Sequence, residues 1–236
     1  MPTLKKLEAK DIALIVTFTA LYVALSFLPM FQIIGLFGKA ITAATLMAPL
    51  IGIVLGAYRG VISSFFGGVI AFFVNATFSY SSLFAGIATA LCAGLLYANK
   101  RIICGLVYLI LLLLFGFYPS VGPAWLFPEM MWLQIIGFLI LISPIQLFAS
   151  KSFTTNSNSK LLYAFFITSL TSTLAGQIAG SLVFEIIAAD ASFLRTWWAA
   201  LTFTYPVERV LIAIIVTFIG VPLLKVLRTA NLIQNR

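Results

Sequence analysis

The sequence predicts an all-α integral membrane protein, a bundle of six to eight transmembrane helices with both termini in the cytoplasm, and three observations carry that expectation. Of 236 residues, 62% are hydrophobic and 8% charged, whereas a soluble domain carries roughly a quarter charged residues because its surface faces water. The apolar residues fall in continuous runs close to the ~20 residues that cross ~30 Å of hydrocarbon, with short polar breaks between them. They do not alternate with polar residues at every second position, as the wall of a β-barrel would. Residues 1–236 therefore read as one polytopic domain of a multi-pass protein of the cell membrane.

From the amino end the apolar segments run from Ile12 to Leu28, Ala40 to Ala57, Val61 to Phe78, Leu83 to Ala98, Ile102 to Phe117, Met131 to Phe148, Leu161 to Ala189 and Pro206 to Val226. Each is a candidate span by length and continuity. Helix breakers punctuate them: Pro29 after the first, Tyr58-Arg59-Gly60 after the second, Asn99-Lys100-Arg101 after the fourth and Pro119 to Pro128 after the fifth. Lys151 to Lys160, rich in Ser, Thr and Asn, forms the longest polar linker. Eight spans is the favoured count. The second to fifth segments are short or closely spaced, so pairing two of them as broken or tilted helices gives six or seven instead.

Orientation follows from the basic residues, because Lys and Arg are retained on the cytoplasmic side. With eight spans and an internal amino end, Lys5, Lys6, Lys10, Arg59, Lys100, Arg101, Lys151, Lys160, Lys225, Arg228 and Arg236 are internal, which is eleven of the 14. Only Lys39, Arg195 and Arg209 fall in the outer half. The net charge of +8 is thus a topology signal, with some attraction to anionic membrane lipid, and calls for no nucleic acid. The first apolar segment is longer than a signal-peptide core and no small-x-small site closes it, so it is expected to stay as a span. Cys92 and Cys104 sit in or beside apolar spans near the cytoplasmic side and are expected to be small core residues rather than a disulfide.

Catalytic chemistry is poorly represented. The chain has no histidine, which removes the usual metal ligand and the usual proton shuttle at neutral pH. Two cysteines alone cannot build a tetrahedral zinc site, and no glycine loop of the nucleotide-binding type occurs. The six acids, Glu8, Asp11, Glu129, Glu185, Asp190 and Glu208, are scattered. These features predict neither an enzyme nor a metal or cofactor protein. If the protein moves a solute, a partner or a gradient must supply the energy.

Small residues recur at helical spacing, where they let backbones approach closely in lipid. Ala20 and Ala24 stand one turn apart, with Ala13 and Thr17 extending the same face. Gly60, Ser64 and Gly68 do so in the third segment, flanked by Ser63 and Gly67. Each stripe has two readings, internal packing or a surface for another helix.

Four local patterns also stand in order: Ala20-Leu21-Tyr22-Val23-Ala24 in the first span; Ala48 to Gly60, an apolar run ending in a glycine-rich turn; Ala93-Gly94-Leu95-Leu96-Tyr97-Ala98-Asn99-Lys100 closing the fourth; and Tyr205-Pro206-Val207-Glu208-Arg209 entering a long apolar helix that ends with Lys225 and Arg228. In their order and spacing the chain resembles the substrate-binding S component of energy-coupling-factor (ECF) transporters, prokaryotic importers of vitamins and related micronutrients. The resemblance covers about the first 100 and last 35 of 236 residues. It implies capture of a small solute on the outer side, contact of Ala20 and Ala24 with a transmembrane coupling subunit, and partner ATPases in the cytoplasm. S components usually have six helices, and Ile102 to Phe148 adds two.

The outer half gathers the polar chemistry that a capture site needs. Thr173, Gln177, Ser181 and Glu185 recur every four residues, a polar stripe about 120° wide that rises toward the outer surface. Lys39, Glu208 and Arg209 join Gln177, Ser181 and Glu185 as the candidate substrate-binding set. Thirteen Leu, Ile, Val or Phe residues from Val207 to Val226 contribute roughly 4–8 kcal/mol toward insertion, against ~3 for one central charge, so the last helix can carry both charges. Glu208 and Arg209, adjacent and about 100° apart on a helix, are expected to find separate partners. Arg209 has two readings, a salt bridge to Glu185 or contact with ligand. Trp125, Trp132, Trp197 and Trp198 all fall on the outer side, as an interfacial belt or a stacking wall. A stand-alone secondary carrier should instead show an inverted repeat and a midplane ion site, and an accessory or enzymatic membrane subunit clustered acids or nucleophiles. Neither pattern is present, although Gln177 is a polar residue near mid-depth.

Overall fold

A computed structural model describes residues 8–33, 38–118, 131–188 and 201–233. Its helices are α1 (Ala9–Ser26), α2 (Ala44–Leu55), α3 (Ala57–Val74), α4 (Tyr80–Tyr97), α5 (Arg101–Gly116), α6 (Trp132–Ile142), α7 (Pro144–Ser152), α8 (Asn158–Ala188) and α9 (Thr204–Thr229). Five of them, α1, α3, α4, α8 and α9, are long and apolar enough to cross a membrane, and the bent pair α6–α7 makes a sixth. At 1.5 Å per residue, the 12 residues of α2 reach about 18 Å and the 16 of α5 about 24 Å. Both are shorter than the ~30 Å apolar layer. Every expected apolar segment contains a helix, but only part of that set has spanning length.

The surface supports immersion in lipid. Phe73, Ile102, Phe203 and Phe218 are 69–80% exposed, amid an apolar exterior that water would not tolerate as a continuous coat. Within an apolar core a polar row is also buried. Thr168, Ser169, Thr171, Ser172, Thr173, Gln177, Ser181 and Glu185 are all buried on α8, the central helix, which packs against α4, α5, α6, α7 and α9. Glycine permits its closest contact. A Cβ on Gly180 would lie 2.9 Å from the Ser81 carbonyl oxygen and one on Gly176 2.6 Å from that of Ala85, so α4 and α8 touch backbone to backbone.

The element ends correct several expectations. Gly56, at φ +80°, both ends α2 and precedes α3, so Tyr58-Arg59-Gly60 is the first turn of α3 and not a break. Asn99, at φ 55°, closes α4 with Lys100 N–H on Leu95 O at 2.8 Å and Asn99 N–H on Leu96 O at 3.0 Å, the paired bonds of a left-handed cap. The sixth segment is not continuous. Ser143 caps α7 by accepting the Ile145 N–H, Pro144 occupies its first turn, and the axis bends by 62°. The polar linker shrinks to 153–157, since α7 runs to Ser152 and α8 starts at Asn158.

One feature is not helical. Pro29 ends the first span early, and Pro29–Gln32 (β1) pairs antiparallel with Ala40–Thr42 (β2), with a bulge between Pro29 and Phe31. The hairpin lies at the end of the bundle where α1 and α3 finish and α4 begins. The opposite end gathers Arg59, Lys100, Arg101, Lys151, Lys160, Lys225 and Arg228 at helix termini. There Arg59 Nη1 pairs with Asp11 Oδ1 at 2.6 Å, Lys225 Nζ donates to Asn158 Oδ1, and Arg228 Nη2 donates to Phe153 O at 2.8 Å. Cys92 and Cys104 are free and buried, as expected.

The two small-residue stripes have opposite fates. Gly60, Ser63, Ser64, Gly67 and Gly68 are buried on α3, where Gly67 faces the Tyr22 ring and Gly68 faces Leu83. Ala13, Thr17, Ala20 and Ala24 are all exposed along α1. Among the described residues that face is not spent on packing within the chain.

Candidate functional site

A cavity of about 80 Å³ opens beneath the hairpin, several times the space one water requires and small beside pockets for drug-sized ligands. α1 and the hairpin contribute Tyr22, Ile33 and Ile41, α2 contributes Thr45 and Ala48, and α4 contributes Ser81, Ser82, Ala85, Gly86 and Thr89. Gln177, Gly180, Ser181 and Phe184 come from α8, and Tyr205 and Arg209 from α9. Apolar walls with a few convergent polar groups are the usual make-up of a small-molecule site.

Local folding explains each placement. Ser79 caps α4, its Oγ accepting the Ser82 N–H at 3.1 Å, which sets the helix start and so the direction of Ser81 and Thr89. Asn75 Nδ2 donates to Ser26 O at 2.5 Å and its Oδ1 accepts the Thr77 N–H at 3.0 Å, tying the end of α1 to the α3–α4 turn. Tyr22 is 2% exposed and packs edge-on against Phe78 with ring centres 6.4 Å apart. Its hydroxyl occupies the place that a side chain at Gly86 would take.

Of the six candidate binding residues, Gln177, Ser181 and Arg209 line the cavity. Lys39 does not. Its Nζ donates to Ala76 O at 2.7 Å and Phe78 O at 3.0 Å, so its charge fastens the hairpin to the α3–α4 turn. Glu208 stands behind the wall, paired with Arg209 through Oε2 and Nη2 at 3.8 Å. Glu185 is fully buried outside the lining, with no partner for either carboxylate oxygen among the described residues. The expected separate partners of Glu208 and Arg209 are therefore replaced by a pair between neighbours, and no Arg209–Glu185 bridge forms. Thr173 bonds back to Ser169 O at 2.7 Å and leaves the stripe before the cavity. Glu129, Asp190, Arg195, Trp125, Trp197 and Trp198 lie outside the described residues.

Two buried glutamines show which polar groups are committed to the fold. Gln146 on α7 donates through Nε2 to Thr168 Oγ1 at 3.2 Å and accepts from Thr171 Oγ1 at 3.1 Å, so both ends of its amide clasp α8. Gln177 is 5% exposed, yet neither its Nε2 nor its Oε1 has a partner among the described residues. A buried amide left unpaired costs about 1–3 kcal/mol. Arg209 is 6% exposed, its Nε is also unpartnered among the described residues, and its guanidinium carbon lies 5.9 Å from the Tyr205 ring centre. An incoming molecule thus meets an amide with a free donor and acceptor side by side, a guanidinium with donor capacity left, and the hydroxyls of serine and threonine. Among the described residues no three His, Cys, Asp or Glu groups gather as a metal site.

The α4 wall was not among the sequence candidates. Ser, Ala, Gly and Thr there carry no signal that separates them from ordinary close-packing residues. Compared with protein-family models, curated proteins and solved structures, the chain matches none.

Proposed function

We propose that this protein is a solute-capture subunit of the membrane, similar in role to the S component of an ECF transporter. It binds a small polar micronutrient in the cavity beneath the hairpin and delivers it with the help of a transmembrane coupling subunit and cytoplasmic ATPases. In the orientation the basic residues favour, the termini face the cytoplasm, the cavity faces outward, and the chain passes eight times between the two ends, α2 and α5 being its short passages. The observation that carries the reading is Gln177, buried in the cavity wall with both amide atoms unpartnered among the described residues. A group that costs free energy in the empty protein is retained most simply because a ligand completes it.

The exposed Ala13, Thr17, Ala20 and Ala24 face of α1 supports a partner helix, since small residues gain most from close approach. A stand-alone secondary carrier is the second reading, and Glu185 favours it. An ionisable residue buried in a membrane bundle is a candidate for coupling to a proton or cation. Reconstitution separates the two. Purified protein in liposomes, loaded with whatever solute native mass spectrometry finds bound to it, should hold that solute without accumulating it, and should accumulate it only with an ATPase module present. Accumulation by the protein alone under a proton gradient would establish the carrier instead.

A further inference from the structure

A second cavity, of about 250 Å³, lies against α5 and α6, neither of which lines the capture site. It is a groove between α5 and α6, walled by Ile102, Leu106 and Leu109 on one side and Phe138, Leu141 and Ile142 on the other, with Arg101 at its end. Gly105 forms the floor, where a Cβ would come within 3.2 Å of Leu141 Cδ2. From Arg101 to Leu109 the groove runs eight residues, roughly 12 Å of helix. The groove is open along Ile102 and Leu106, which are both exposed, and its apolar walls suit a polymethylene chain laid along Gly105.

Charge decides what occupies it. Arg101 Nη1 donates to Ser143 O at 2.9 Å, which holds the guanidinium at the break between α6 and α7 with no other hydrogen bond among the described residues. Among the described residues it pairs with no carboxylate, and α4 to α7 contain Lys100, Arg101 and Lys151 but no described acid. We infer that this groove binds one anionic phospholipid, its phosphate on Arg101 and one acyl chain laid along Gly105 between α5 and α6. In the favoured orientation this is the cytoplasmic leaflet, where anionic headgroups concentrate and one Lys or Arg contributes about 1 kcal/mol. The inference stands apart from the capture reading, since no residue is shared between the two cavities.

The test uses delipidated full-length protein in detergent, offered phosphatidylglycerol or phosphatidylcholine with matched chains and read by native mass spectrometry. Phosphatidylglycerol should be retained about fivefold better, Arg101→Gln should bring the two to parity, and Arg101→Lys should keep the preference. Because Arg101→Gln also removes the bond to Ser143, Leu106→Trp gives an independent arm. It leaves Arg101 in place and fills the groove, so retention of phosphatidylglycerol should fall to that of phosphatidylcholine. Equal retention of the two lipids by the unaltered protein overturns the inference, as does an undiminished preference in Arg101→Gln or Leu106→Trp. Displacement of the lipid by millimolar inorganic phosphate would also overturn it, by showing an anion site rather than a lipid site.

Discussion

Arg209 Nη2 lies 3.8 Å from Glu208 Oε2, the carboxylate of its own neighbour in sequence, and both side chains are less than a tenth exposed. A strong charge-assisted bond spans 2.7–2.9 Å, so this pair is held by proximity more than by a directed hydrogen bond. It still offsets two buried charges that would each be costly alone.

Removing one member should therefore expose the dependence of the other. Arg209→Gln is expected to destabilise the protein by about 3 kcal/mol, measured as a lower unfolding temperature in detergent. Adding Glu208→Gln should recover most of that loss. Solute binding should stay weak in the double variant, because the guanidinium that lines the cavity is still missing. Recovery of both stability and binding would mean that Arg209 serves the fold alone.

The coupling face gives a prediction of the opposite kind. Ala20 and Ala24 are exposed on α1 and lie away from the cavity lining, so Ala20→Leu with Ala24→Leu should change neither the unfolding temperature nor solute binding. Uptake through the partner module should be lost, since leucine holds a second helix away. Intact uptake would remove α1 from the docking surface.

Orientation can be read directly with single cysteines at Gln32, on the exposed hairpin strand, and at Ser157, in the polar turn before α8. In a background where Cys92 and Cys104 are replaced by alanine, an impermeant thiol reagent applied to intact cells should label the first site and spare the second. Labelling of both from outside would overturn the arrangement with cytoplasmic termini.

What the sequence reveals here depends on whether the signal is local. The turn at Asn99-Lys100 is legible because an asparagine in the left-handed conformation acts within its own helix end. Ser143-Pro144 is an equally local start signal for α7, but it lies inside a continuous apolar run and reads as part of one span. The Ala20–Ala24 and Gly60–Gly68 stripes are the same kind of pattern, and only the packing of α3 against α1 and α4 decides which is buried. The Arg209–Glu208 contact escapes a rule about backbone directions because the arginine side chain is long enough to swing back over its neighbour. The β1–β2 hairpin and the α4 wall depend on non-local pairing of unremarkable residues, for which sequence periodicity has no signal.

Gln146 and Gln177 provide the sharpest test of the capture site, because they share chemistry and burial and differ only in satisfaction. Gln146→Leu breaks two side-chain bonds to α8 and should cost about 1–2 kcal/mol, seen as a lower unfolding temperature with solute affinity little changed. Gln177→Leu removes an amide with no partner among the described residues, so the protein without solute should be as stable as before or more stable, because an apolar group of similar shape carries no desolvation cost. Binding should move the other way. Loss of a donor and an acceptor aimed at the solute should weaken it by tenfold or more, the scale of one or two hydrogen bonds of about 1 kcal/mol each. Equal destabilisation by the two leucine variants would show that Gln177 is a fold residue like Gln146, and the cavity would then lose its principal recognition group.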